Sequence, residues 1–111
     1  MSADAVVVLC TAPIDQSEAL ARAVVEERLC ACVNIVPKVV SVYRWQGAVE
    51  TAEEHLLVAK TTVASVDRLQ QRLAELHPYD VPEVIQLPIA AGLPAYLEWL
   101  AGAVVPDSSE G

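Results

Sequence analysis

Three cysteines and two histidines are the side chains of this 111-residue chain best able to hold a soft metal ion or attack an electrophile. Cys10 closes the run Ala5-Val-Val-Val-Leu-Cys10, at the carboxyl end of a candidate central strand, where the loops of α/β sheets gather functional groups. A thiolate there suits Cu(I), and an imidazole suits Cu(II) or Zn. His77 precedes Pro78 in a loop that soon reaches Asp80 and Glu83. The plainer account makes Cys10 a small buried hydrophobe and His77 the cap of a helix end, where the dipole favours a cation. Cys30 and Cys32 flank one alanine and are expected to face the same side of a strand. Two thiols without a third ligand nearby are a weak metal signal, so core packing explains them better. Cys10-Thr-Ala-Pro13 has no second cysteine, which counts against a C-x-x-C metal chaperone.

Catalytic patterns have less footing. The sequence shows no Ser-His-Asp grouping, P-loop or H-E-x-x-H. Cys10 and His77 would make a nucleophile–base pair in principle, but nothing marks an oxyanion hole, and the chain is read as non-enzymatic. His55 alternates with Glu53 in an acidic segment and is expected on a solvated face.

Charge narrows the partners. Seven basic and fifteen acidic side chains leave a net charge of −8, which argues against nucleic acid, because phosphate binding rests on Lys and Arg releasing counterions. An anionic membrane surface is disfavoured on the same ground. The N-terminal residues carry no basic side chain ahead of the apolar run, unlike a signal peptide, and lack the glycine that myristoylation needs. No stretch approaches the roughly 18 apolar residues of a membrane span. An odd, small number of cysteines suggests reduced thiols, so a cytoplasmic protein is expected. The length supports one domain, 1–111, structured over about 5–105 with 106–111 as a flexible tail.

Hydrophobic patterning supplies the elements that position these groups. The β-branched run from Ala5 to Cys10 suits a strand buried on both faces. Asp15 and Glu18 resemble a capping box, opening an amphipathic helix over Gln16 to Leu29. Two β-rich segments, Ala31 to Trp45 and Ala48 to Thr62, meet at Gln46-Gly47, a two-residue turn. Arms this long reach about 45 Å and must project beyond the domain. Pro37 cannot donate to a ladder, which predicts a bulge or edge there. Val66, Leu69, Leu73 and Leu76 stripe a second helix that ends at His77-Pro78. Val81 to Ile89 reads as a short strand, and Leu93 to Leu100 as a helix with Pro94 at its first position and Gly102 past its end.

The order β-α-β-β-α-β plus a final helix is the ferredoxin-like α+β arrangement, with both long helices on one face of an antiparallel sheet. The other face needs cover. Val39, Val40, Val42, Tyr43 and Trp45 are too apolar for a solvated arm, so sister chains are expected to shelter it.

Val8-Leu-Cys-Thr-Ala-Pro13, Ala31-Cys-Val-Asn-Ile-Val-Pro37, Ser41-Val-Tyr-Arg-Trp45 with Gly47, Lys60-Thr61, His77-Pro-Tyr-Asp-Val-Pro-Glu83 and Tyr96-Leu-Glu-Trp99 together resemble the CutA divalent-cation tolerance family, over about 5–103. The resemblance implies a very stable homotrimer of ferredoxin-like subunits, similar to the PII signal-transduction trimers, which keep ligands in clefts between subunits. It implies a non-enzymatic role in tolerance of copper and other divalent cations, with the chain itself and metal ions as partners. Where a copper site is described in the family, it uses the cysteine of the Leu-Cys-Thr-Ala-Pro segment and histidines just before Pro-Tyr. Cys10 and His77 match, while Leu76 stands where some relatives have a second histidine. The trimer likeness also places Tyr43, Trp45, Glu54, Lys60, Tyr79, Tyr96 and Trp99 near subunit boundaries as candidate cleft residues. Lys60 would neutralise an anionic ligand there, the alternative reading being a PII-like sensor. The plainer account of these residues is interface packing by the aromatics and an ion pair for Lys60.

Overall fold

The computed structural model describes residues 4–104, and the expected tail at 106–111 lies outside the described residues. The first apolar run forms β1 (Ala5–Ala12). Its alternate residues Val6, Val8, Cys10 and Ala12 point into the main core. That core is roofed by α1 (Ser17–Glu26), through Leu20 and Val24, and by α2 (Val63–Leu76), through Val66, Leu69 and Leu73. Arg72 of α2 ties the two helices together, reaching Glu27 at 2.9 and 3.1 Å.

The long hairpin is β2 (Cys32–Trp45) and β3 (Ala48–Thr62). Gln46 and Gly47 turn it at φ 50° and 83°, the left-handed pair that matches strand twist. The ladder slips between Val36 and Val39, around Pro37, with Lys38 at φ 63°, the bulge that a missing proline N–H predicts. With β4 (Val84–Pro88) the sheet has four strands in the order β2-β3-β1-β4, every pair antiparallel, and the molecule measures 45 Å along its longest axis. α3 (Pro94–Ala103) covers one corner of the opposite face, where Leu100 and Val104 pack on Ala5.

Several boundaries differ from expectation, and four of the differences have a local reason. α1 stops at Glu26 instead of Leu29 because Arg28 turns left-handed at φ 61°. The amides of Arg28 and Leu29 then donate back to the carbonyls of Val25 and Val24 at 2.9 and 3.0 Å, closing a Schellman motif. No side chain caps the start of α1; Asp15 lies in the preceding turn, and Ser17 Oγ donates to the Ile14 carbonyl at 3.2 Å. β4 begins at Val84, not Val81, since Pro82 has no N–H to offer a ladder. Gly102 falls inside α3, not beyond it, and its carbonyl accepts from the Arg28 guanidinium at 3.4 Å.

Strand alternation sorts the rest. On the face away from α1 and α2, Val7 lies opposite Leu87 and Leu9 opposite Ile85. Ile85 and Leu87 are about half exposed, as are Tyr43 and Trp45 at the hairpin end.

Candidate functional site

The carboxyl end of β1 gathers Cys10 and His77 around one acceptor, the carbonyl of Thr11. His77 closes α2, its own amide donating to Leu73 at 2.9 Å, and its ring turns inward under Pro78. The Tyr79 amide donates to Nδ1 at 3.2 Å, so Nε2 carries the hydrogen and donates to Thr11 at 2.8 Å. Both ring nitrogens are therefore engaged, Nε2 in pinning the loop to β1 and Nδ1 in holding the turn of the loop itself. The Cys10 thiol is 1% exposed and donates weakly to the same carbonyl at 3.7 Å. Burial pushes it up to about 12, helped by the negative charges of Glu83 and Glu54. A metal at this end would have to displace the Nε2–Thr11 contact and take a proton from a thiol held firmly neutral.

Beside this end, on the face away from α1 and α2, a groove of about 690 Å³ opens between the hairpin and the loop that follows His77. Its sides include Tyr43, Trp45, Glu50, Glu54, Tyr79 and Glu83. Glu54 is the buried member, 5% exposed, where β3 leaves the cover of the core. Ser41 donates to its Oε1 at 2.6 Å and the Tyr79 hydroxyl to its Oε2 at 2.7 Å. Desolvation, followed by that bond to Glu54, raises the Tyr79 phenol to about 12, so it stays a donor. The Tyr79 ring also lies 4.6 Å from the His77 ring. The two ends of the loop are thus anchored to β1 and to the hairpin.

Of the expected cleft residues, four meet here: Tyr43, Trp45, Glu54 and Tyr79. Lys60 does not. It stands opposite Cys32 and donates to Asn34 Oδ1 rather than to a carboxylate. Tyr96 and Trp99 meet on α3, ring centroids 5.4 Å apart and planes tilted by 39°. Cys30 and Cys32 part company: Cys30 is buried in the main core, whereas Cys32 sits beside Lys60, its sulfur 3.8 Å from Nζ. His55 is half-buried on the helix side, its Nδ1 2.7 Å from Ser17 Oγ, and not solvated. Ser41 was missed as a site residue, although period-two spacing puts it on one face with Tyr43 and Trp45. Nothing in the spacing foretold the Ser17–His55 contact. Among the described residues, no three Cys, His, Asp or Glu side chains converge as a metal site, and no helix is long and apolar enough to cross a membrane.

A ferredoxin-like fold with an overlong hairpin and a groove beside it defines the class, and the comparisons define the family. A model described as CutA1 divalent ion tolerance protein matches residues 6–103. The chain belongs to that family. The divalent-cation tolerance protein CutA of Thermus thermophilus is 53% identical, covering 85% of this chain and 92% of that protein. A solved structure of the Thermus protein superposes with a TM-score of 0.88 at 49% identity, covering 91% of this chain and 99% of that one. The PII-like protein CutA from Nostoc, solved in apo form, gives a TM-score of 0.87 at 36% identity over 91% and 98% of the two chains. Plant and animal relatives are longer. The chloroplastic CutA of Arabidopsis thaliana is 47% identical over 86% of this chain, which spans 53% of that protein.

Proposed function

We propose that the protein is a non-enzymatic, cytoplasmic homotrimer acting in divalent-cation tolerance. The observation that carries the assembly is the hairpin, whose Val40, Val42, Val49 and Trp45 are 59%, 66%, 65% and 46% exposed in the single subunit. A patch of that kind at a long sheet edge is stable in water only when another chain covers it. Sedimentation or native mass spectrometry tests this: a mass of three chains is expected, and a monomer at micromolar concentration contradicts it. Three unpaired thiols are compatible with a reducing compartment.

Direct copper contact through Cys10 and His77 belongs to the same proposal. It requires His77 to leave the Thr11 carbonyl. Copper titration of wild type, Cys10→Ser and His77→Ala decides it, since equal affinity in all three removes the site. For the sensor alternative, the carboxylates of the groove favour a cationic ligand over an anionic one, and Lys60 lies outside the groove.

A further inference from the structure

Glu54 is a buried carboxylate without a counter-ion. Its two partners, Ser41 and Tyr79, are neutral hydroxyls, and no ion pair of Glu54 occurs among the described residues. Burying a charge is costly unless an opposite charge compensates it, and a carboxylate with two bonds still has lone pairs to offer. Glu50, Asp80 and Glu83 share the groove with it, and among the described residues no lysine or arginine lines it. The negative field is felt at Cys10, whose thiol Glu83 and Glu54 help to hold protonated. These carboxylates do not converge on one point as metal ligands do. They are spread around a space of about 690 Å³, far larger than a bare ion and within the roughly 300–1,000 Å³ of small-molecule pockets. The half-exposed rings of Tyr43 and Trp45 line the same space, and aromatic faces attract organic cations.

We propose that this groove binds a small organic ammonium, seated against Tyr43 and Trp45 with its charge answering Glu54. The proposal rests on the trimeric reading in one respect: hairpin residues that line the groove are among those the assembly shelters, so in the trimer the site is a cleft between subunits. The test is calorimetric titration with choline and with 1,4-diaminobutane, using citrate as the anion control and Mn2+ as the metal control. Sedimentation is run on the same samples. Saturable binding of at least one ammonium probe is expected, about tenfold weaker in Glu54→Gln at unchanged mass. Should Glu54→Gln fail to fold, Trp45→Ala carries the test with a similar loss. Absence of ammonium binding to a trimer, undiminished binding by both variants, or preference for citrate or Mn2+ overturns the proposal. Ammonium binding to a protein that sediments as a monomer upholds the site and sinks the assembly instead.

Discussion

β3 passes through two environments. From Leu57 to Thr61 its alternate residues are buried beneath α1 and α2, while from Ala48 to Thr51 every residue is exposed. Both halves are paired to β2 across an antiparallel ladder, so backbone hydrogen bonding does not distinguish them. What differs is cover. The inner half is finished by its own chain, whereas Val49 of the outer half, with Val40, Val42 and Trp45 of the β2 stretch paired to it, is left open. In the trimer proposed above, the stability of the first is a property of the single chain, whereas that of the second depends on concentration through assembly. Glu54 sits at the junction, buried on one side and facing the groove on the other.

The largest effect should come from charging the outer half. Val40 and Val42 share a face of β2, and Val40→Asp/Val42→Asp removes nothing that a lone subunit buries. Loss of the trimer by sedimentation is expected, together with a concentration-independent melting transition. Unchanged mass would break the contrast between the halves. The inner half is probed by Leu69→Ala. Leu69 is 0% exposed between the helices and β1, and its truncation should cost about 2–5 kcal/mol in denaturant titration, through lost burial and a cavity.

Much of this division was legible in the sequence. A continuous β-branched run located β1, helical periodicity α2, and Pro94 the start of α3, and the proline at 37 and the glycine at 47 marked the bulge and the turn. The boundaries that slipped depended on single backbone conformations. Arg28 adopts a left-handed φ that its residue type disfavours, within the Schellman closure of α1, and its side chain reaches the α3 carbonyls. At the candidate site, Tyr43, Trp45, Glu54 and Tyr79, expected from the likeness to lie at a cleft, line one groove of the single chain. The hydrogen-bond roles of His77 and the place of Lys60 were not readable, since each depends on contacts across strands whose register only the fold supplies.

The tip of the hairpin sharpens the comparison with smaller changes. Gly47 has φ 83° with open space where a Cβ would stand. Gly47→Ala should therefore cost about 1 kcal/mol through backbone strain alone. Gln46→Asn, at φ 50°, should stabilise by a few tenths of a kcal/mol, because asparagine tolerates that region better. Thermal melts at fixed protein concentration read both. Equal melting temperatures for all three proteins would mean that the tip is not ordered in solution.

The smallest effect at neutral pH, and one that grows with alkali, belongs to the thiols. Cys10 and Cys30 are each raised from 9.0 to about 12, in both cases chiefly by burial. Between those values the unfolded chain releases protons that the native state retains, so stability must fall as pH rises above 9 and continue to fall toward 12. Cys10→Ala/Cys30→Ala should flatten that slope while leaving its melting temperature at pH 7 lowered only by the small packing loss. Native thiol labelling gives the companion measurement. Cys32, half-buried beside Lys60, should react with a maleimide at pH 8 long before the other two. Because Cys10 and Cys30 belong to the inner region, their labelling rate reports its opening, and the rate should stay slow in Val40→Asp/Val42→Asp if the inner half stands without its neighbours. Rapid labelling of all three thiols in that variant would show instead that the core depends on the trimer as much as the hairpin does.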